Sequence, residues 1–192
     1  MLGLLVSAPV AAGFVWTEAE AREAHHQAQA ARQAAKKAGT TFKPKFFTAH
    51  EYATVAILVD VIIPKDERSG SATDAGVPEF MDFIVGDQAP RQTAMRGGLA
   101  WLDRECERRF DRRFVACDDA ERRDVLDDIS GPQPPAATLT QGVAFFRMFR
   151  DLTASGFWTS KMGIADLQYM GNTLVAEWKG CPDEQLRKLG IA

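Results

Sequence analysis

The stretch FTAHEYATVAILVDVIIP, residues 47–64, decides the fold. Thr48 and Glu51 stand in the T-x-x-E order of a capping box, in which hydroxyl and carboxylate each accept from an otherwise unpaired amide at a helix start. Behind them Tyr52, Val55, Ala56, Val59, Ile62 and Ile63 recur at the three- and four-residue spacing of one helix face. Ile57, Leu58 and Val61 widen that face around the cylinder, so the helix is a central one, and Pro64 ends it. Asp60 is the sole charge inside the run. A carboxylate in such surroundings needs a hydrogen-bonding partner, and its expected role is structural, bonded to a loop or an Arg.

Towards the C-terminus, Lys65 to Gly76 is a polar Gly/Ser/Asp loop, and Pro78 with Glu79 opens the next helix, PEFMDFIVG. Residues 90–113 carry Ala94, Leu99, Trp101, Leu102, Cys106 and Phe110 among dense charges. Residues 103–128 hold seven Arg against ten acids, the pattern of a salt-bridged surface and not of a phosphate site. Asp118 and Glu121 give a further capping signal for a helix reaching about Ile129. After the linker GPQPPAATL, the residues Val143, Phe145, Phe146, Met148, Phe149 and Leu152 crowd a helix over 140–155. No strand-period alternation of useful length occurs, so the expected fold is all-α, an irregular helical domain with long loops.

Towards the N-terminus the chain changes character near Pro44. Residues 1–45 carry six basic and three acidic side chains, whereas the whole chain has 23 Lys and Arg against 26 Asp and Glu. Thr17 and Glu20 repeat the capping box, and the helix they open is Ala-rich, with no bulky apolar residue between Trp16 and Phe42. Such a helix lacks the side chains to join a conventional core. Ala21, Ala24, Ala28, Ala31, Ala35 and Ala38 instead form a narrow small-residue seam that admits another backbone closely. His25 and His26 are adjacent, point about 100° apart on a helix, and are expected in solvent. Ahead of this helix, residues 1–16 (MLGLLVSAPVAAGFVW) are uncharged but shorter than the roughly 20 residues a spanning helix needs. They suit the apolar centre of an export signal or a buried strap. The chain thus divides into 1–16, the Ala-rich helix and linker 17–45, and a helical domain 46–192.

A net charge of −3 gives no bulk field for nucleic acid or an anionic membrane. Three Cys and three His are few for a structural zinc site. The sequence has no G-x-G-x-x-G after a strand, no Walker loop, no G-x-S-x-G, no H-E-x-x-H and no C-x-x-C-H, so no catalytic, cofactor or metal residues are assigned. Residues 156–191, GFWTSKMGIADLQYMGNTLVAEWKGCPDEQLRKLGI, place Phe157, Trp158, Tyr169, Met170 and Trp178 among Gly156, Gly163, Gly171 and Gly180. Large amphipathic rings on irregular backbone mark a packed loop or a contact surface. Pro182, Asp183 and Glu184 start a short terminal helix.

Three pieces carry a family resemblance: D-x-I-I-P at Asp60 to Pro64, A-G-V-P-E-F at Ala75 to Phe80, and G-F-W-T-S at Gly156 to Ser160. With the residues around them, over about 46–190, they are similar to the gluconate 2-dehydrogenase subunit 3 family. The resemblance implies a small, mainly helical auxiliary subunit of a bacterial periplasmic dehydrogenase. In such complexes a separate large subunit holds FAD and oxidises a sugar or other alcohol, and a cytochrome c carrying haem commonly takes the electrons. It also implies twin-arginine export, with the small subunit addressing the folded flavin subunit. Leu2 to Phe14 looks like the apolar part of such a signal, while the Arg pair is absent and is expected upstream of Met1.

Partner contacts are then expected at Ala24, Ala28, Ala31 and Ala35 of the seam and at the aromatic tail. In an oxidising compartment Cys117 and Cys181, each just before a helix start, are expected to pair and leave Cys106 free. The competing expectation is an independent small enzyme with a carboxylate site around Asp60 and Asp66.

Overall fold

The computed structural model describes residues 18–131, 136–169, 171, 177 and 180–191. Among them the regular structure is helical throughout: α1 Glu18–Lys37, α2 Ala49–Ile62, α3 Ala72–Ala75, α4 Val77–Asp87, α5 Ala89–Phe110, α6 Asp119–Ser130, α7 Thr140–Trp158, α8 Lys161–Asp166 and α9 Asp183–Lys188. Two 3-10 turns, Phe114–Ala116 and Ala137–Leu139, link α5 to α6 and lead into α7. No described helix is long and apolar enough to cross a membrane. The segment 1–16 and the Thr17 half of the first capping box lie outside the described residues.

Both remaining capping boxes form as the sequence predicts. Thr48 accepts from the Glu51 amide at 3.2 Å while the Glu51 carboxylate accepts from the Thr48 amide at 2.8 Å. Asp118 and Glu121 repeat the exchange at the start of α6. The polar loop after Pro64 hides a third box, Ser71 with Asp74, which opens the one-turn helix α3. Gly76 then closes α3 and starts α4 with φ +85°, a backbone state that glycine reaches without a Cβ clash. Asp60 has the structural role expected of it, accepting from the Thr73 amide at 2.7 Å and so tying α2 to α3.

The α4 helix is the centre of the molecule, and its burial runs almost all the way round from Val77 to Val85. It packs against α1, α2, α3, α5 and α7. Phe80, Phe114, Phe149 and Phe157 are fully buried, and each such ring contributes roughly 1.5–3 kcal/mol of transfer free energy. The buried Asp82 carboxylate is satisfied by three backbone amides, those of Lys45, Phe46 and Phe47, at 2.8–2.9 Å. These charge-assisted bonds pin the segment ahead of α2 onto α4. On α2 the buried positions are Thr54, Val55, Leu58 and Val59, whereas Val61 is exposed. The apolar run is therefore wider than the face it buries.

The two long helices α5 and α7 interlock by reciprocal small-against-large contacts. A Cβ at Gly98 would stand 1.9 Å from the Phe145 ring, and one at Gly142 would stand 2.2 Å from the Trp101 ring. Each helix lends the other a notch. The charged 103–128 region is salt-bridged as expected: Arg109 reaches Glu105 at 2.8 Å, Asp124 at 2.9 Å and Asp128 at 2.8 Å, joining α5 to α6.

Two expectations for the Ala-rich helix are corrected. Its seam finds a partner inside the chain: Ala21, Ala24 and Ala28 are buried where α1 lies on α4, while Ala31 and Ala35 are half-buried and Ala38 is exposed. His25 is also buried. Its ring stacks on Phe80 at 4.6 Å, and its Nε2 shares a 2.8 Å hydrogen bond with Thr159 Oγ1. Small side chains brought the two backbones close, and a ring-on-ring contact replaced the large aliphatics that the helix lacks. Burial holds the His25 pKa below its ordinary value, although a hydrogen bond with the Gly156 backbone works the other way.

Candidate partner interface

The C-terminal end of α7 makes a tight elbow into α8, and every residue of the G-F-W-T-S piece has a part in it. Gly156 lies against Phe80, where a Cβ would stand 2.8 Å from the ring, so α7 can continue three residues beyond its expected end and dock on α4. Phe157 is fully buried. Trp158 is the first ring to emerge, 38% exposed and edge-on to Phe157 at 4.8 Å between centroids. Thr159 holds His25, as described above. Ser160 closes the turn: its hydroxyl donates to the Phe157 carbonyl at 2.7 Å and accepts from the Gly163 amide at 3.0 Å, capping α8.

Gly163 permits the return. A Cβ there would sit 2.1 Å from the Phe157 carbonyl oxygen and 2.8 Å from the Trp158 Cα, so only glycine lets α8 lie this close to the end of α7. Arg68 ties the far end down, donating to the Asp166 carbonyl at 2.5 Å and lying 3.4 Å from its carboxylate. Fixed in this way, the elbow presents apolar side chains to solvent: Trp158, Ile164 at 40% exposed, Leu167 at 56% and Tyr169 at 57%. Four of the seven large exposed apolar residues among the described residues fall within these twelve positions. Scattered single apolar residues are ordinary on a surface, whereas this concentration makes the elbow the candidate interface.

The structure thus separates the aromatics that the sequence grouped. Phe157 belongs to the core, Trp158 and Tyr169 to the surface, and Met170 and Trp178 lie outside the described residues. Ile164 and Leu167 were missed by sequence reasoning. The signal was present in S-K-M-G-I-A-D-L, where a capping Ser160 precedes apolar residues three apart.

The other candidates have structural partners. Asp66 accepts from the Arg68 and Ser69 amides at 2.8 Å each, and those bonds hold its carboxyl below the usual range. Asp60, bonded to the Thr73 amide, likewise has a structural role in tying α2 to α3. The expected Cys117–Cys181 bridge is not formed. All three cysteines are free thiols, Cys181 is exposed, and Cys117 is buried beside Cys106 because the 3-10 turn folds back onto α5. A cavity of about 650 Å³ opens between α1 and the α4–α5 corner, lined by Glu23, Lys45, Phe46, Phe83 and Arg96 among others. Several of these lining groups hold the fold together: Arg96 donates to the Phe46 carbonyl at 2.7 Å and pairs with Glu51 at 3.0 Å.

Among the described residues the chain is all-helical, and its elbow carries four exposed large apolar side chains. The particular family follows from its sequence: the model of the Gluconate 2-dehydrogenase subunit 3 family matches residues 49–178, and the chain belongs to that family. It therefore belongs with the small subunits of a dehydrogenase complex. The match takes in α2 through α8 and ends beyond the elbow, whereas α1 lies ahead of it. No curated protein and no solved structure matches the chain.

Proposed function

We propose that this chain is the non-catalytic small subunit of a bacterial flavin-dependent sugar or alcohol dehydrogenase, docking through its α7–α8 elbow onto the large subunit that holds FAD. A cytochrome c with haem would be a third component. The observation that carries this reading is the apolar cluster of Trp158, Ile164, Leu167 and Tyr169 on a backbone fixed by Ser160 and Gly163. Its membership in a dehydrogenase subunit family supports the choice of partner.

A flavin subunit must fold around its cofactor before it crosses a membrane, so its route has to carry folded cargo. A small partner that bears the signal can supply the address for both chains. The requirement is a complex that outlives transport, and that calls for a large interface with a few well-packed anchors. The elbow supplies anchors of the right kind, namely rings and branched aliphatics held in place before the partner arrives. On this reading the complex works in the periplasm and leaves the cytoplasm by the twin-arginine route. Deleting the gene should strand the flavin subunit in the cytoplasm, as judged by fractionation and by periplasmic dehydrogenase activity. Normal periplasmic activity without this chain would defeat the export role.

A further inference from the structure

The 3-10 turn Phe114–Ala116 is clamped against α5 by a repeat of one offset. Asp103 accepts from the Phe114 amide at 3.2 Å, a step of 11 residues, and the same step leads from Cys106 to Cys117. Asp103 and Cys106 lie one turn apart on α5, just as Phe114 and Cys117 lie one turn apart on the folded-back segment. The first contact anchors the turn on α5, within one turn of both cysteines. The clamp is reinforced from α6, where Arg122 donates to the Phe114 and Val115 carbonyls at 3.1 and 2.8 Å. Cys106 is fully buried and Cys117 is 4% exposed, both inside the core cluster, where the neighbouring Cys117 thiol adds to burial in raising the Cys106 pKa, and the Cys117 thiol itself donates to the Arg112 carbonyl at 3.8 Å.

We propose that Cys106 and Cys117 are a disulfide-forming pair, and that the chain closes this bridge when it folds in the presence of a disulfide oxidant. Burial keeps both thiols protonated in the finished fold, so the exchange belongs to folding, before the turn closes over α5. One cysteine thiolate attacks a sulfur of the oxidant disulfide and releases one thiol. The second cysteine then displaces the other half of the oxidant. Two protein thiols and one oxidant disulfide give one protein disulfide and two released thiols, so electrons and protons balance. Cys181, exposed on the terminal segment, has no part in it.

The test is to refold the full chain in a mixture of oxidised and reduced glutathione, alkylate it with iodoacetamide, and digest it with trypsin without reduction. Cleavage after Arg and Lys gives Glu105–Arg108 with Cys106, Phe114–Arg122 with Cys117, and Gly180–Arg187 with Cys181. The expected product joins the first two and leaves the third alkylated or glutathionylated. The oxidised wild type should melt above its reduced form, and Cys117→Ala should lose that redox dependence. A joined Phe114–Arg122 and Gly180–Arg187 pair, or both buried cysteines recovered unlinked, would overturn the assignment. So would a bridged chain that melts below the reduced one.

Discussion

Replacing Gly163 with Ala tests whether the elbow is a built surface or a chance bend. The added Cβ would stand 2.1 Å from the Phe157 carbonyl oxygen and 2.7 Å from its carbon, both backbone atoms that cannot rotate away. α8 must therefore move off α7. Overpacking of this kind costs about 1–3 kcal/mol, and losing the Ser160 cap adds about 1 kcal/mol. The better helix propensity of Ala returns about 1 kcal/mol. A net ~1–3 kcal/mol shifts the local opening equilibrium about 5- to 150-fold. Because the elbow is peripheral, the strain is relieved by opening α8 alone, and the global melting temperature should change little. Amide hydrogen exchange should lose protection by that factor over residues 160–167 and keep it in α4 and α5. The matched control is Gly97→Ala, a helical position with nothing within 4 Å, which should stabilise the chain by about 0.5–1 kcal/mol. Unchanged protection over 160–167 in Gly163→Ala would refute the argument.

Three further outcomes are expected. Gly98→Ala drives a Cβ into the buried Phe145 ring and should lower stability by about 1–3 kcal/mol in urea unfolding, the opposite sign to Gly97→Ala one residue away. The pKa of His25 is depressed by burial, so between its folded value and the ordinary value of about 6.5 the unfolded chain binds the extra proton. Stability should accordingly fall as pH drops below that ordinary value, and His25→Phe should remove this part of the dependence in melts taken across pH 5–8. In the reduced native protein, iodoacetamide should label Cys181 alone, since burial pushes the Cys106 thiol up to about 12 and closes off Cys117. Mass spectrometry of the labelled protein would show it.

The parts of the fold legible in the sequence were those fixed by neighbours a few residues apart. The Thr48–Glu51 and Asp118–Glu121 boxes, the Pro64 stop and the α2 periodicity are local, and local chemistry produced them. Docking of α1 was not legible, because its contact is made of methyl groups and one His ring against Phe80. Neither raises the hydrophobic signal of a helix otherwise rich in Gln, Glu and Lys. The extension of α7 through Gly156 was hidden for a related reason: the glycine reads as a break, but it is needed for the approach of Phe80 from α4. At the elbow, Trp158 and Phe157 are adjacent and chemically alike, yet one faces solvent and the other the core. Only the direction of α7 relative to α4 separates them. The burial of Cys117 was hidden on the same ground, since its place is set by a turn whose clamp, Asp103, lies 14 residues upstream.

The most direct measurement of the central claim is the affinity of the full chain for its flavin subunit after the exposed elbow residues are made polar, as in the double variant Trp158→Ser and Leu167→Ser. Far-ultraviolet circular dichroism should match the wild type, while the melting temperature falls because Trp158 is only 38% exposed and packs edge-on to Phe157. Hot-spot losses of about 2 kcal/mol or more correspond to a Kd raised at least ~30-fold, and copurification with the flavin subunit should fail. An unaltered Kd in a folded double variant would contradict the account and remove the elbow from the interface.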